Sequence, residues 1–355
     1  MDQTLDAQLD QIITHAFEKK ATDIIIIVGV TPILRIDGHL VSVQNFAPLT
    51  DEDANRWIQS TMIGKQFDTF VAHKELDYSF SYQDVRFRAN AYFQKGAPAL
   101  ALRLLPSDIR TIADLGLPPV LSRFTQPRRG FVIIAGPTGH GKSTTCAAMI
   151  EEINRTRGGH VITIEDPIEY IFQNKKAVFS QREVGTDTNS FNRALRSAIR
   201  EDPDIIFIGE MRDFETVDAA LTLAETGHLV FSTLHTNNAA QSADRMIDMF
   251  PPYLQEPARK QLAAVLLGIL SQRLVPKVGG GRIAAAEILI ATSAVRSLIR
   301  EGKAHQLDNI IATSAADGMI SLDKVLAELV SHGDITLDDG LTWANDPKAV
   351  KGMLY

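Results

Sequence analysis

The chain has 355 residues, more than one hydrophobic core usually serves, so its length alone predicts at least two domains. A composition of 45% apolar and 22% charged residues excludes a disordered or fibrous protein. The net charge of −7 argues against a broad, non-specific nucleic-acid surface, which needs many unpaired cations. The single cysteine, Cys146, excludes an internal disulfide framework and a multi-cysteine zinc site, and it fits a reducing compartment.

Export and membrane-spanning segments are not indicated by the sequence. The first ten residues contain three aspartates and no basic residue, unlike the start of a secretory signal peptide. The most apolar later stretch, residues 262–270, has about half the length that spans a bilayer, and we predict a buried helix there. We therefore expect a cytoplasmic protein that reaches a membrane only through a partner.

The first hundred or so residues predict a small α+β module with an antiparallel sheet. Apolar residues recur at nearly helical spacing from residue 5 to residue 19. Alternating or apolar runs then predict six strands, at residues 24–28, 33–36, 39–43, 76–82, 85–93 and 99–105. Prolines and short polar residues follow, so we place an N-terminal domain at residues 1–108 and a linker at 109–117, with residues 106–117 as a hinge.

Beyond the linker, residues 118–355 predict a second domain of the α/β class. Strands alternate with helical stretches, which is typical of a doubly wound, mainly parallel sheet. The predicted strands lie at residues 131–135, 161–164, 205–209 and 229–234. Residues 272–276 and 283–289 predict a hairpin, and helices alone are predicted from about residue 293 to the C-terminus.

A phosphate-binding loop follows the first strand of this second domain. The pattern G-x-x-x-x-G-K-[ST] is complete, formed by Gly136, Pro137, Thr138, Gly139, His140, Gly141, Lys142 and Ser143 and followed by Thr144. Its glycines allow a tight turn whose N–H groups point at polyphosphate oxygens, next to a helix N-terminus. We predict that Lys142 reaches the β- and γ-phosphates of ATP and that Ser143 ligates Mg²⁺.

Two groups of carboxylates supply what nucleotide hydrolysis needs beyond the loop. Glu210 ends the strand at 205–209, and because Gly209 stands where many such proteins have aspartate, we expect Glu210 to serve Mg²⁺ indirectly, through water. Glu165, Asp166 and Glu169 follow the strand at 161–164. Three acids at one sheet edge repel one another unless a cation lies among them, so one of them is a candidate to orient or deprotonate the attacking water.

Histidines and arginines are the remaining candidates. His228 and His235 flank the strand at 229–234 on opposite faces, which disfavours a shared metal and favours sensing of the γ-phosphate from the carboxyl edge of the sheet. Arg88 and Arg103 lie on neighbouring strands of the first domain and could face one cleft. Their forked, permanently charged guanidinium groups suit a phosphate, in their own or a neighbouring subunit.

These motifs, in this order, resemble the secretion ATPase superfamily of type II secretion and type IV pilus motors. The resemblance covers nearly the whole chain and implies a PAS-like N-terminal domain before a RecA-like P-loop ATPase domain. It maps Walker A onto residues 136–144, an acidic Asp box onto 165–169, Walker B onto 205–210 and a His box onto 228–235. It implies that Glu169 acts on the hydrolytic water, that Glu210 serves Mg²⁺, that Lys142 and His235 join them in catalysis, and that Arg88, Arg103 and His228 sense phosphates. It also implies ring-shaped hexamers that bind ATP between domains of the same and adjacent chains.

Further features resemble the retraction branch of this superfamily. The four zinc-binding cysteines and additional N-terminal domain usual in extension and secretion motors are not found, and residues 294–301 read AVRSLIRE, close to a retraction motif. The resemblance implies an ATP-driven homo-hexamer that retracts a type IV pilus for twitching motility. It would lie peripherally at the inner face of the cell membrane on a pilus platform protein, and a second retraction ATPase is a further candidate partner. Two departures are the loss of a histidine within residues 22–26 and the replacement of a P-loop serine by His140, a change that could alter nucleotide affinity or pH response.

Alternatives of other kinds stay open at this point. One is an accessory retraction ATPase that depends on a partner motor. Another is a nucleotide-gated regulatory scaffold, which the presence of both Glu169 and Glu210 disfavours. A third is a DNA-moving P-loop motor, which the acidic balance of the chain disfavours.

Overall fold

A computed structural model describes residues 5–36, 38–83, 85–105 and 108–354. Two compact units can be distinguished. The first comprises Met1–Asp108 together with the short segment Pro167–Ile171, and the second comprises Ile109–Asp166 and Phe172–Tyr355. Pro106 and Ser107 of the predicted hinge lie outside the described residues.

The first unit is built on an antiparallel sheet whose described strands follow the order β3-β2-β1-β6-β5-β4. Its elements are α1 (Ala7–Glu18), β1 (Asp23–Ile27), β2 (Ile33–Ile36), β3 (His39–Ser42), α2 (Asp51–Ser60), α3 (Gln66–His73), β4 (Glu75–Tyr82), β5 (Val85–Gln94) and β6 (Ala97–Leu104). The helix and the strands predicted here are confirmed to within two residues at most ends. The helices α2 and α3 were not predicted.

Burial specifies helix α1 of this unit, and local capping specifies the start of helix α2. In α1, Leu9, Ile12, Ile13 and Ala16 are buried against the sheet side of the core, at the spacing that the sequence shows. Helix α2 begins with a capping box, in which the Thr50 hydroxyl accepts from the Asp53 N–H and the Asp53 carboxylate accepts from the Thr50 N–H. Local capping thus fixes where α2 starts, whereas α1 is specified by its apolar stripe.

The second unit is an α/β fold, as predicted. Its described strands are β7 (Gly130–Ala135), β8 (Gly159–Glu165), β9 (Ala177–Glu183), β10 (Ile205–Ile208), β11 (Leu229–Leu234), β12 (Leu266–Pro276) and β13 (Arg282–Ile290). They lie in the order β13-β12-β7-β11-β10-β8-β9, and all described pairs are parallel except the β12–β13 hairpin. Strands β7, β10 and β11 are buried at every position, as expected where helices cover both faces of a parallel sheet.

The helices of this unit complete the doubly wound pattern. They are α4 (Ser122–Thr125), α5 (Lys142–Thr156), α6 (Phe191–Ala198), α7 (Phe214–Glu225), α8 (Ala239–Asp248), α9 (Pro252–Val265), α10 (Ser293–Arg300), α11 (Leu307–Thr313), α12 (Leu322–Ser331), α13 (Leu337–Trp343) and α14 (Pro347–Leu354). The C-terminal helices bury Leu322, Leu326 and Val350 with Val275 and Ala285 of the hairpin. The predicted helical C-terminal part is confirmed within the described residues, with one addition, an isolated antiparallel bridge between Ile320 and Ile288 of β13.

The prediction of one buried helix at residues 262–270 is wrong in its second half. Helix α9 ends at Val265, and β12 begins at Leu266 beside β7. A short continuous apolar run fits a buried helix and a buried parallel strand equally well, so periodicity could not separate them. Across the described part of the chain, no helix combines the length and the apolar character needed to cross a bilayer.

Candidate active site

The phosphate loop connects β7 to α5 at the carboxyl edge of the parallel sheet. Gly136, Gly139 and Gly141 all have φ in the positive region, at 147°, 78° and 82°. Gly136 is also required for space, because a Cβ there would lie 2.4 Å from the carbonyl oxygen of Gln272. The loop therefore packs closely against β12. It continues into the first turn of α5, where the free backbone N–H groups favour an anion.

Lys142 lies inside this loop. Its side chain is buried, and its Nζ donates to the carbonyl oxygens of Gly136 at 2.9 Å and Pro137 at 3.0 Å. These contacts hold the ammonium on the concave side of the loop. Ser143 and Thr144 follow it in the first turn of α5 and are half-buried. The positive charge of Lys142 and the N-terminus of α5 thus act on the same small volume.

A chain of side chains connects the loop to the ends of β11 and β10. Thr138 Oγ1 lies 3.1 Å from Nδ1 of His235, which follows β11. His235 Nε2 lies 3.2 Å from Oε1 of Glu210, which follows β10. Arg212 donates to the other oxygen of Glu210 at 2.8 Å. The structure therefore brings Glu210 and His235 together beside the phosphate loop.

Glu210 carries a negative charge at this edge. Partial burial acts to raise the pKa of Glu210, but the hydrogen bond from Arg212 and the electrostatic effects of His235, Arg212 and Lys142 outweigh it and bring the pKa below its ordinary value. The carboxylate is thus ionised at neutral pH and fixed in orientation by two neighbours. An ionised oxygen donor beside a lysine-bearing loop suits a hydrated divalent cation.

His228 lies at the other edge of the sheet, so the expectation that it approaches phosphate from the carboxyl edge is wrong for its own chain. It precedes β11, and its carbonyl oxygen accepts from the N–H of Gly130 at the start of β7. Its Nδ1 lies 2.9 Å from the carbonyl oxygen of Leu223 and 3.2 Å from the Thr226 hydroxyl. The six-residue strand β11 separates the two histidines, and sensing of a phosphate by His228 stays a prediction.

The Asp box begins at the end of β8. Glu165 is its last strand residue and is buried, while Asp166 is exposed. Glu169 is half-buried and belongs to the segment Pro167–Ile171, which forms part of the first compact unit. Its action on the hydrolytic water stays a prediction.

Arg88 and Arg103 are direct cross-strand partners in the first unit. They pair across β5 and β6, and both are exposed, while Phe87 and Ala89 on either side of Arg88 face the core. Arg103 Nε donates to Asp23 at 2.9 Å. The two guanidinium groups therefore share one face of this sheet, and their action on a phosphate stays a prediction.

Magnesium fits the chemistry of this edge. Within the described residues, histidine, cysteine, aspartate and glutamate side chains form no group of three or more placed to hold a metal ion. Ser143 and Glu210 offer a hydroxyl and a carboxylate, both oxygen donors. Mg²⁺ prefers oxygen and commonly takes only one or two protein ligands, with phosphates and water completing its coordination. This donor set therefore suits a nucleotide-bound Mg²⁺ and not a protein-enclosed metal site.

Comparison with known proteins decides the family. The model of the type II/IV secretion system protein family matches residues 1–328. The chain belongs to this family. The resemblance inferred from the motifs is thereby confirmed.

Relatives in this family match over nearly the whole chain. The chain is 43% identical over 341 residues to the type IV pilus retraction ATPase PilT of Pseudomonas aeruginosa, covering 96% of this chain and 99% of that one. It is 38% identical over 349 residues to the type IV pilus ATPase PilU of the same species, covering 98% and 91%. A crystal structure of the pilus retraction motor PilT with bound ADP superposes with a TM-score of 0.90 at 46% identity, covering 96% and 98%.

The segment at residues 294–301 now has a structural explanation within this secretion-family fold. Most of it forms α10, and Arg296 donates from its NH1 group to the carbonyl oxygens of Ala263 and Ala264 at 2.5 and 2.8 Å. These carbonyls end α9, just before β12 begins. Arg296 is therefore the C-terminal cap of α9, while Arg300 is exposed.

Arg212 and Gln272 belong to none of the sequence motifs, yet both contact the site. Arg212 lies two residues after Glu210. A cation this close in sequence to an acid at a strand end is the signal that could have revealed the pair. Gln272 donates from Nε2 to the carbonyl oxygen of His140 at 2.8 Å and accepts from Thr145 at 2.6 Å. Gln272 is more than 120 positions from His140 and from Thr145 in the sequence, so no local pattern reveals these contacts.

Proposed function

We propose that this secretion-family chain is a Mg²⁺-dependent ATPase that powers retraction of a type IV pilus as a homo-hexamer. The observation that carries the ATPase part is the connection of the phosphate loop to Glu210 through Thr138 and His235. The retraction part is supported by near full-length likeness to PilT, including the structure with bound ADP. Both parts concern one site, so one set of variants tests them.

Nucleotide would bind on the loop of residues 136–143. Its backbone N–H groups and the N-terminus of α5 favour the phosphate charges, and Lys142 neutralises the β- and γ-phosphates. Ser143, and Glu210 through water, would hold Mg²⁺, which when bound neutralises the charge that develops on the transferred phosphoryl group. His235 holds Glu210 in place from one side and Arg212 from the other.

Hydrolysis requires further groups that the family resemblance supplies. Glu169 would orient or deprotonate the attacking water, and Arg88, Arg103 and His228 would sense the phosphates, with His228 acting on nucleotide held by a neighbouring chain. Opening and closing about the linker after the first unit would convert hydrolysis into movement. A motor of this kind works at the inner face of the cell membrane on a pilus platform protein and needs no nucleic acid.

The direct test uses Lys142→Ala. Removing the ammonium should lower the ATPase kcat by about 100-fold or more, since stabilisation of phosphoryl charge is the largest catalytic contribution at such sites. The matched control is Lys324→Ala, whose side chain is 56% exposed on α12 and pairs only loosely with Glu328 at 4.0 Å. Wild-type and Lys324→Ala genes should restore twitching to a strain without its retraction motor. Undiminished turnover or twitching in Lys142→Ala would contradict the proposal.

The accessory role is a second candidate, favoured by the 38% identity to PilU over 98% of this chain. An accessory ATPase acts only beside a main retraction motor. The separating experiment supplies this gene to strains with and without that motor. Retraction in the absence of any other motor supports the main role, and retraction only in its presence supports the accessory one.

A further inference from the structure

His140 of the phosphate loop makes specific contacts with β12 and α13. Its Nδ1 accepts the backbone N–H of Leu274 at 2.9 Å. Its ring lies 5.2 Å from the ring of Trp343, tilted by 59°. A serine side chain is too short to make either contact. The histidine therefore adds a connection between the phosphate loop and the C-terminal helices.

The bond from Leu274 fixes the protonation state of this ring. Because Nδ1 accepts a hydrogen, the neutral ring carries its proton on Nε2. An imidazolium donates from both nitrogens and cannot accept from Leu274. Protonation of His140 would therefore replace a hydrogen bond with two N–H groups that face each other.

Trp343, the other partner of His140, belongs to a hydrogen-bond network that extends to the loop after His235. Arg273 donates to the Trp343 carbonyl oxygen, to Asn345 Oδ1 at 2.9 Å, and to the Asn237 carbonyl oxygen at 3.4 Å. Asn237 lies two residues after His235 in the loop that follows β11. The phosphate loop and the His235 loop are thus held by one C-terminal segment, the end of α13.

We propose that neutral His140 is a positioning residue that ties the phosphate loop to β12 and α13, and that its protonation releases this tie and weakens nucleotide binding. The inference rests on the proposed nucleotide site and adds to it a pH response. His140 acts through the loop and not on the reacting atoms. The loop is pre-organised for phosphate when the tie is made and gains freedom, at a cost in affinity, when it is broken.

The surroundings of the ring set the direction of the response. Burial and the positive charges of Arg282 on β13, Lys142 on α5 and Arg273 on β12 lower the pKa of His140 below its ordinary value. The tie is thus present at neutral pH and is lost as pH falls through this lowered pKa. Arg282 also donates to the carbonyl oxygen of Gly139 at 3.3 Å, so it stays beside the loop in either state.

The first test compares His140→Asn and His140→Ala with the wild type. The Asn side chain places an oxygen where Nδ1 lies, so it can accept from Leu274 but does not titrate. The dissociation constant of Mg·ADP is measured by calorimetry from pH 8 down to the most acidic pH at which the protein stays folded. Because the nucleotide itself titrates in this range, the quantity compared is the ratio of each variant to the wild type at each pH.

We expect His140→Asn to match the wild type at pH 8 and to bind more tightly than it by about 3- to 10-fold once His140 of the wild type is protonated, the worth of one hydrogen bond. His140→Ala should bind more weakly than the wild type by a similar factor at pH 8, and this difference should shrink as pH falls. Parallel curves for the wild type and His140→Asn overturn this inference while leaving the nucleotide site intact. Absence of Mg·ADP binding by the folded wild type contradicts the proposed function itself.

A second measurement reads the ring without depending on a His140 variant that folds. The chain has two tryptophans, Trp57 and Trp343, so Trp57→Phe leaves Trp343 as the emitter. A protonated imidazole beside an indole quenches its fluorescence. Emission should fall with a midpoint below pH 6.5, the ordinary histidine value, and bound Mg·ADP should move the midpoint lower still. An emission curve that is flat, or that nucleotide does not shift, overturns the inference.

Discussion

The two edges of the parallel sheet differ in what their polar side chains contact, although both carry histidines and charged residues. At the carboxyl edge, His235 contacts Thr138 and Glu210, so side chains face one another. At the amino edge, His228 Nδ1 lies against the Leu223 carbonyl oxygen, and Arg157 donates to the carbonyl oxygens of Gln126 and Pro127. These two amino-edge side chains hold backbone in place, whereas the charged side chains at the carboxyl edge are grouped around a loop, where they can act on a ligand.

Neutralising one glutamate at each edge is the strongest test of this difference between the edges. Glu210→Gln should lower kcat by about 100- to 1,000-fold, because the amide loses the charge that serves Mg²⁺. Glu201 at the amino edge is the control, since it too is paired with an arginine, Arg182, at 2.9 Å. Glu201→Gln should stay within about threefold of wild-type kcat, because it lies outside the chemistry. Equal losses in both variants, with folding intact, would show that the edges do not differ.

The two histidines around β11 give the next largest contrast. His235→Ala should lower kcat by about 10- to 100-fold, since Glu210 loses one of the two neighbours that orient it. His228→Ala should cost about 1 kcal/mol of stability from its lost hydrogen bond. It should lower kcat less than His235→Ala does, because His228 lies at the amino edge against Leu223 and Thr226, away from Glu210 of its own chain. Steady-state ATPase assays and urea denaturation measure the two effects. A loss of turnover in His228→Ala as large as in His235→Ala would contradict this difference between the edges.

Glu287 makes the stability of the region near the carboxyl edge depend on pH. It is buried on β13 near the carboxyl edge and accepts from the Ala239 N–H at 2.8 Å and from Asn345 at 3.3 Å. Burial and the charges of Asp308 and Asp323 raise the pKa of Glu287 to about 7, from 4.5. A raised carboxyl pKa gives stability that is complete below pH 4.5 and lost as pH rises through 7.

Glu287→Gln should remove this loss. At pH 8 the variant should exceed the wild type in free energy of unfolding by on the order of 2 kcal/mol, and the difference should shrink as pH falls toward 5. Urea denaturation across this range measures it. A constant difference at every pH would show that Glu287 does not titrate between the folded and unfolded states.

Arg296 gives the smallest predicted effect and concerns the amino edge alone. Arg296→Ala leaves the last carbonyls of α9 without their cap, so we expect a loss of about 1 to 2 kcal/mol in stability and no change in kcat. Arg300→Ala on the exposed side of α10 is the control and should change stability by less than about 0.5 kcal/mol. A fall in kcat without a fall in stability would assign Arg296 to the motor mechanism instead.

Much of the fold could be predicted from sequence because its signals are local. The apolar stripe of α1, the alternating strands of the first unit, and the strand, glycine loop and helix around Lys142 are each specified within about fifteen residues. The sequence does not predict strand β9 or helices α2 and α3, and the apolar run at residues 262–270 predicts one helix where the structure has a helix end and a strand. In that run the change from α9 to β12 is decided by pairing with β7, a contact from more than 130 positions away.

The residues of the candidate site could likewise be predicted where they belong to local motifs, but their contacts with distant parts of the chain could not. Lys142, Ser143 and Glu210 stand out through motifs, whereas the contacts of His235 with Thr138 and Glu210 required three strands to be assembled. The opposite position of His228 follows only once the direction of β11 in the sheet is known. The contacts of His140 with Leu274 and Trp343 bring together residues more than 130 and 200 positions apart, so sequence could flag the unusual residue but not what it touches.

A structure of the full chain with Mg²⁺ and a non-hydrolysable ATP analogue tests the proposed nucleotide site most directly. We expect the triphosphate on the loop of residues 136–143, Lys142 against its β- and γ-phosphates, and Glu210 within about 3 to 5 Å of the metal or its waters, still in contact with His235. A triphosphate bound elsewhere, or Glu210 and His235 turned away from the loop in every subunit, would contradict it.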